Sequence, residues 1–256
     1  MLKNKKGAIF GVANDHSIAW GIAKKLSENG AEIALTYQNE TLLKRVRPLA
    51  ENINSNLLIE CDFYKPESIS NCFNEVKNKF EKIDFVIHAA AFSNKNELNG
   101  KYLNTSKDNF IDTLNISCFS FTEICKHASK IMNEKGSLLT LSFYGSNKVM
   151  PNYNVMGIAK AALETSVKYL SVDLGEKNIR VNAISAGPMR TLAGAAISNA
   201  REVFNYTQQN SALKRNVKLE EIGNTALYFC SDLSNAVTGE IHYVDCGFNI
   251  IGMPKN

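Results

Sequence analysis

Short apolar runs and helix-length amphipathic stretches alternate from one end of the chain to the other. Runs of four to six mostly apolar residues fall at Gly7–Phe10, Glu32–Tyr37, Leu57–Cys61, Phe85–His88, Leu138–Leu141, Arg180–Ala183 and Ile241–Val244, and each is predicted to be a strand. The segments between them are long enough for helices. After the first strand, Ser17 stands where it can cap a helix with an apolar stripe of Ile18, Ile22 and Leu26, and Gly30 supplies a left-handed stop. Alternation of this kind builds βαβ units, so the pattern predicts an α/β fold: a single doubly wound parallel sheet flanked by helices, of the Rossmann type. No linker, low-complexity tract or internal repeat breaks the series, and residues 1–256 read as one domain. Two stretches look like excursions from this core: the polar run Ser93 to Asn109, and the segment Met189 to Asn216. Long loops after strands often carry function.

Composition narrows the class. The chain has 256 residues with 29 Lys+Arg against 25 Asp+Glu, a net charge of +4; 45% are hydrophobic and 21% charged, which excludes a disordered, collagenous or coiled-coil protein. The lysines are scattered with no basic stripe, so nucleic acid is not implied and a small molecule is the default partner. The six cysteines, at 61, 72, 118, 125, 230 and 246, form no Cys-x-x-Cys pair and do not cluster with the four histidines, so no metal site is predicted. They read as buried free thiols of a reducing compartment. Met1 to Lys6 followed by Gly7 to Ala13 faintly imitates a signal peptide, but the apolar stretch is short and runs into Asn14-Asp15-His16. No apolar run approaches the ~18–20 residues that cross a bilayer. The expectation is a cytoplasmic protein.

The first strand runs into Gly11-Val-Ala-Asn-Asp-His-Ser-Ile-Ala-Trp-Gly21, where a tight turn would bring backbone N–H groups and a helix start against a pyrophosphate. It is not a Gly-x-Gly-x-x-Gly, and by spacing alone an ordinary strand–helix turn fits as well. The second strand ends at Tyr37-Gln38, where dinucleotide folds discriminate the adenosine ribose. Gln38 is neutral and no Arg or Lys follows until Lys44, which disfavours a 2′-phosphate and points to NADH. A solvated Gln at a strand end is the plainer alternative.

The stretch from Leu141 to Glu164 carries most of the chemistry. Tyr153 and Lys160 are seven residues apart, about 700° of helical rotation, so both would lie on one face, two turns apart. Tyr144 and Lys148 offer a competing pair at four-residue spacing, but Gly145, Ser146 and Pro151 make a poor helix there. Singly, a surface tyrosine and a solvated lysine would be unremarkable. The runs Ser-Ile-Ala at 17–19, Thr-Tyr-Gln at 36–38, Cys-Asp at 61–62, Pro-Asn-Tyr-Asn-Val-Met-Gly at 151–157 and Val-Asn-Ala-Ile-Ser-Ala-Gly-Pro at 181–188 together resemble the NADH-dependent enoyl-acyl-carrier-protein reductases of the short-chain dehydrogenase superfamily. The resemblance covers nearly the whole chain.

It implies hydride transfer from NADH to the β-carbon of a trans-2-enoyl thioester, with Tyr153 hydrogen-bonded to the thioester oxygen and Lys160 holding the nicotinamide ribose. It also implies that Gly11, Ser17 and Ile18 meet the pyrophosphate, Gln38 the ribose, Asp62 and Phe63 the adenine, and that Ala90 lies along the cofactor. Met189, Arg190, Thr191, Leu192 and Ala193 would touch nicotinamide and pyrophosphate, and the segment to about Asn210, with Ala195, Ala196, Ile197 and Phe204, would form a helical lid over the acyl chain. An amphipathic surface helix reads equally well there. Ser93, Phe143 and Tyr153 would line the substrate pocket. Many members have a second Tyr where this chain has Phe143, which can form a wall but cannot donate a proton. Ala89 and Ala91 stand where Ser or Gly is common, and their methyl groups would tighten the pocket. Asn115 resembles the Asn that orders a relay water in ordinary short-chain dehydrogenases and is assigned here to structure. The substrate would be an enoyl group on acyl-carrier protein, an acidic partner that Arg201, Lys214 and Arg215 would attract; the assembly implied is a homotetramer. A 3-ketoacyl or carbonyl reductase, and an inactive dinucleotide-binding regulator, are the rival readings.

Overall fold

The computed structural model describes residues 1–195 and 199–253. A strand in the middle of a parallel sheet is covered on both faces and needs apolar side chains at successive positions. β4 (Ile83–His88) and β6 (Arg180–Ala186) are buried at every residue, and the polar side chains among them find partners, as Arg180 does at the Phe229 carbonyl and Ser234. With β1 (Lys6–Phe10), β2 (Glu32–Tyr37), β3 (Leu57–Glu60), β5 (Met132–Ser142) and β7 (Ile241–Val244) they form one parallel sheet in the order β3-β2-β1-β4-β5-β6-β7. The alternation of side chains along each strand divides the core in two. Ala8, Phe10 and Val86 join one cluster while Ile9, Phe85 and Ile87 join the other.

The helices follow that division. Phe73 and Val76 of α3 (Ser68–Phe80), Phe121 and Ile124 of α5 (Ser120–Ala128), and Leu163 and Val167 of α6 (Val155–Gly175) cover one face. Ile22 and Leu26 of α1 (Ile18–Glu28), Val46 of α2 (Glu40–Asn52), and Ile222 and Phe229 of α9 (Leu219–Cys230) cover the other. α4 (Lys107–Leu114), α7 (Leu192–Ala195) and α8 (Ala200–Asn210) lie in the two excursions. The chain moves outward from β1 to β3 and then returns to place β4 on the other side of β1, so a crevice opens at the carboxyl ends of β1 and β4.

All seven predicted strands are present, with edges that differ from expectation. β5 begins at Met132, not Leu138, because Ile83 pairs with Met132 before the register shifts; the polar Asn133, Glu134 and Lys135 hide that start in the sequence. β6 runs on to Ala186, since Ser185 and Ala186 still pair with β7. β3 stops at Glu60 and Cys61 lies just beyond it. Ser17 holds the position before α1 but does not cap it: its hydroxyl donates to the Asn14 carbonyl (2.6 Å) and accepts from the Ala13 N–H (3.4 Å), closing the preceding turn instead. The polar excursion ends earlier than Asn109, because Ser106 accepts from the Asn109 N–H and starts α4 at Lys107. α4 continues through a π-helical segment, Asn115–Phe119, into α5. Of the predicted lid, Ala196 and Ile197 lie outside the described residues, as do the side chains of Ala193 and Ala195. The described cysteines are all free thiols; Cys246 departs from expectation in being only half-buried.

Candidate active site

The carboxyl ends of three strands feed one cavity. β4 leads into Ala89–Ala91, β5 into Phe143, and β6 into Gly187–Thr191; with Tyr153 and Lys160 these line a space of about 1460 Å³. Pockets for one small ligand run ~300–1,000 Å³, so this one has room for a second molecule beside the first. Ile18, Ala90, Ser93, Met189, Arg190, Thr191, Leu192 and Phe204 also reach it, as the sequence predicts. Gly11, Ser17, Gln38, Asp62 and Phe63 do not line it and stand along the carboxyl ends of β1, β2 and β3. There Gln38 donates to the Asp62 carboxylate (3.1 Å), and Phe63 packs against Phe10 and His88 with ring centres 6.2 and 6.1 Å apart.

Gly11 explains how close the chain passes at the strand ends. Its φ is +101°, and a Cβ there would fall 2.4 Å from the Ala89 carbonyl oxygen. Only glycine lets β1 turn this tightly beside the chain leaving β4.

Tyr153 does not sit in the helix that its spacing to Lys160 suggests. α6 opens at Val155, and Asn152 and Asn154 ahead of it have φ of +57° and +39°. The pair still converges on the cavity. Tyr153 is buried edge-on against Phe143 (ring centres 5.0 Å apart), and burial pushes its hydroxyl well above the usual range, with the Glu164 charge adding to the effect. It therefore keeps its proton at neutral pH. Lys160 is buried too; its ammonium donates to the Leu141 carbonyl (2.8 Å), its one hydrogen-bond partner among the described residues. Burial lowers its pKa to about 8, against the opposing pull of Cys118 and Glu164. An ammonium has three N–H donors, so two remain for a diol.

Below the pair, His88 is fully enclosed. Nε2 meets the Ser120 hydroxyl (2.9 Å) and Nδ1 the Thr140 hydroxyl (2.8 Å). Ser120 gives its own proton to the Ile116 carbonyl, so Nε2 is the donor to Ser120, while the single Thr140 proton has two acceptors, Nδ1 and the His88 carbonyl (3.2 Å). Burial, reinforced by Lys160, drops its pKa to about 3. The competing pair is absent from the site: Tyr144 sits in a 3₁₀ turn and packs edge-on against Phe248, and neither it nor the exposed Lys148 lines the cavity.

The polar excursion is tied down around Asn109. Its side-chain oxygen accepts from Ser93 Oγ (3.2 Å) and from the Asn94 N–H (2.9 Å), while its amide donates to Glu97. Asn154 adds three bonds to the carbonyls of Glu97, Leu98 and Gly100. Of the predicted basic rim, Arg201 lines the cavity, but Arg215 is held by both oxygens of Glu221 and Lys214 turns to the Gln209 carbonyl. Arg190 lies 4.7 Å from the centre of the Phe204 ring, joining the loop after β6 to α8. Sequence reasoning missed Met150 and Met156 in the apolar wall and Asp108 and Asp112 at its α4 side. Met156 lies in the Pro151–Gly157 run; nothing in the sequence marks the others.

Comparison with known proteins points to one family. The family model described as enoyl-(acyl carrier protein) reductase matches residues 11–249. An enoyl-[acyl-carrier-protein] reductase [NADH] of Rhizobium meliloti is 58% identical over 254 residues, 99% of this chain and 95% of that protein. The crystal structure of FabI from Candidatus Liberibacter asiaticus superposes with a TM-score of 0.97 at 57% identity, covering 99% of this chain and 98% of the other. The enoyl-(acyl-carrier-protein) reductase of Anaplasma phagocytophilum, solved in complex with NAD, gives a TM-score of 0.96 at 52% identity, with coverage of 100% and 97%.

Proposed function

The chain belongs to the enoyl-(acyl carrier protein) reductase family, and from that premise we propose which of its residues carry the reaction. The protein is an NADH-dependent enoyl-acyl-carrier-protein reductase of fatty acid synthesis. The observation that carries the residue assignment is the meeting of buried Tyr153 and Lys160 at a cavity open to the carboxyl ends of β4, β5 and β6. A dinucleotide fits the chain along that edge. Gly11 keeps the β1 end clear of side chain, Gln38 and Asp62 offer an amide and a carboxylate to the adenosine half, and the two spare N–H donors of Lys160 match the hydroxyls of a ribose.

Bound NADH supplies a hydride to the β-carbon of the trans-2-enoyl thioester. Negative charge then grows on the thioester oxygen, and the Tyr153 hydroxyl, held protonated by its burial, donates to that oxygen. Lys160 fixes the ribose and adds positive charge to the field around the developing enolate. Phe143 braces the Tyr153 ring and offers no proton of its own. Met150, Met156 and Phe204 give the acyl chain an apolar wall, with 189–216 as the lid of a single domain.

The exposed stripe of α6 and the exposed Ile111 and Phe119 fit contact with further copies of this chain, and we take the assembly to be a homotetramer. Free thiols fit the cytoplasm; among the described residues no helix is long and apolar enough to cross a membrane. Arg201 and Arg190 at the cavity are the cations that would meet an acidic carrier protein.

The test is NADH oxidation with a crotonyl or longer enoyl thioester, run beside NADPH and a 3-ketoacyl thioester. Turnover is expected with NADH and the enoyl substrate, and Tyr153→Phe should lower kcat about 10²–10³-fold, as loss of one such donor does. Turnover of only the ketoacyl thioester would move the chemistry to a carbonyl reductase. An unchanged kcat in the variant would remove Tyr153 from the reaction.

A further inference from the structure

Glu164 lies on α6 four residues beyond Lys160, an interval that keeps the two near one side of the helix. Its side chain is buried, 9% exposed, and no cation stands within ion-pair distance among the described residues. A carboxylate removed from water without a partner is costly unless donors surround it. Three donors do: Ser142 Oγ and Ser146 Oγ (2.6 Å) on one oxygen, and Asn147 Nδ2 (3.3 Å) on the other. Ser142 ends β5, and Ser146 and Asn147 belong to the turn that carries Phe143 out of it. The same turn is pressed on α6 at its backbone, where a Cβ on Gly157 would fall 2.8 Å from the Gly145 carbonyl. Asn147 also reaches the Tyr243 hydroxyl (3.0 Å), so the network extends to β7.

A glutamine of the same length could accept from both serines. What only the acid brings is charge, and the buried cation nearest to it along α6 is Lys160. We propose that Glu164 is a positioning residue of the reductase site: its carboxylate seats the turn that bears Phe143 and supplies the negative charge that keeps Lys160 an ammonium. This rests on the role given above to Lys160. The groups that act on Lys160 or feel its charge are Glu164 on its own helix, Cys118 from the π-helical segment and His88 from β4, with Tyr153 lining the same cavity. His88 is neutral and Cys118 is a thiol whose pKa burial raises, so neither of them supplies a negative charge to Lys160 at neutral pH.

The experiment is the pH profile of kcat/KM for the enoyl thioester in wild type, Glu164→Gln and Asn147→Ala. Removing the negative charge makes Lys160 easier to deprotonate, so Glu164→Gln should move the alkaline limb to lower pH by about half a unit or more. Asn147→Ala keeps the charge and loosens the turn; it should raise KM for the enoyl thioester about two- to fivefold and leave the limb in place. Where Glu164→Gln fails to fold by circular dichroism, Glu164→Asp replaces it, since withdrawing the carboxylate by one methylene should shift the limb in the same direction by less. An alkaline limb identical to wild type in the folded variant overturns the inference. Lys160→Ala, run alongside, separates the two levels: if it leaves the KM for NADH and kcat unchanged, the assignment of Lys160 fails, whatever Glu164 does.

Discussion

Burial acts in opposite directions on the two residues at the centre of the site, raising the Tyr153 pKa and lowering that of Lys160 to about 8. An unfolded lysine holds its proton to its ordinary value of 10.5. Below pH 8 both states are charged, so the cost of burying the ammonium is present in full; between 8 and 10.5 the unfolded state binds more protons, and stability rises with pH. Lys160→Met should therefore be more stable than wild type near pH 7, by up to a few kcal/mol, since a tenfold change in proton affinity is worth about 1.4 kcal/mol. That margin should narrow as the pH is raised toward about 10, read from urea midpoints. His88 has the same sign at lower pH. Because its pKa falls from 6.5 to about 3, the unfolded state gains a proton that the folded state refuses. Acidification through that window should destabilise the protein, and His88→Asn should flatten the loss in urea melts. Tyr153 and Lys160 are legible in the sequence because their chemistry needs two residue types at a fixed interval. Glu164 is not, since a glutamate on an amphipathic helix reads as solvated and its donors stand 17 to 22 residues back, ahead of the helix.

At the level of elements, the strands are legible as short, mostly apolar runs set between helix-length segments, because a parallel sheet is covered on both faces. The start of β5 is not, because its first residues are polar and bulged. The π-helical segment at Asn115–Phe119 has no compositional mark; such segments gather at functional sites, and this one brings Cys118 beside Lys160. The helix boundary at Tyr153 escapes the spacing argument because two asparagines take positive φ before α6 begins. What places Tyr153 is the fit between that boundary and the 3₁₀ turn Tyr144–Ser146. A Cβ on Gly145 would lie 2.4 Å from Tyr153 Cδ1 and 3.2 Å from Phe143 Cδ1, against two rings that already pack edge-on. Gly145→Ala should displace the ring and cost about 1–3 kcal/mol of stability through overpacking. Its kcat should fall at least about tenfold, as misplacement of a reacting group does, while NADH affinity, measured by fluorescence titration, stays near wild type. A full kcat would show that the turn yields instead of the tyrosine.

The molecule as a whole exposes more surface than a monomer of its size needs. Its accessible area is 12785 Å² at 28.3 kDa, whereas scaling for folded monomers gives ~11,200 Å². Part of the excess is apolar and ordered. Ile158, Tyr169 and Val172 of α6 are 42, 72 and 75% exposed and fall on one stripe of the helix, which is apolar on its buried face as well. A helix with two apolar faces in a chain of ordinary composition is expected to bury the second against another subunit. α6 is also the element that carries Lys160 and Glu164 inward, so contacts on its outer stripe would hold the buried face of the helix from behind. Size-exclusion chromatography with light scattering should give a species several times 28.3 kDa for wild type. The double variant Tyr169→Asp, Val172→Asp should elute smaller, with a lower Tm, because two carboxylates cannot be desolvated in such a contact without partners. Elution of the double variant at the wild-type position would place the subunit contact elsewhere on the surface and leave this stripe facing water.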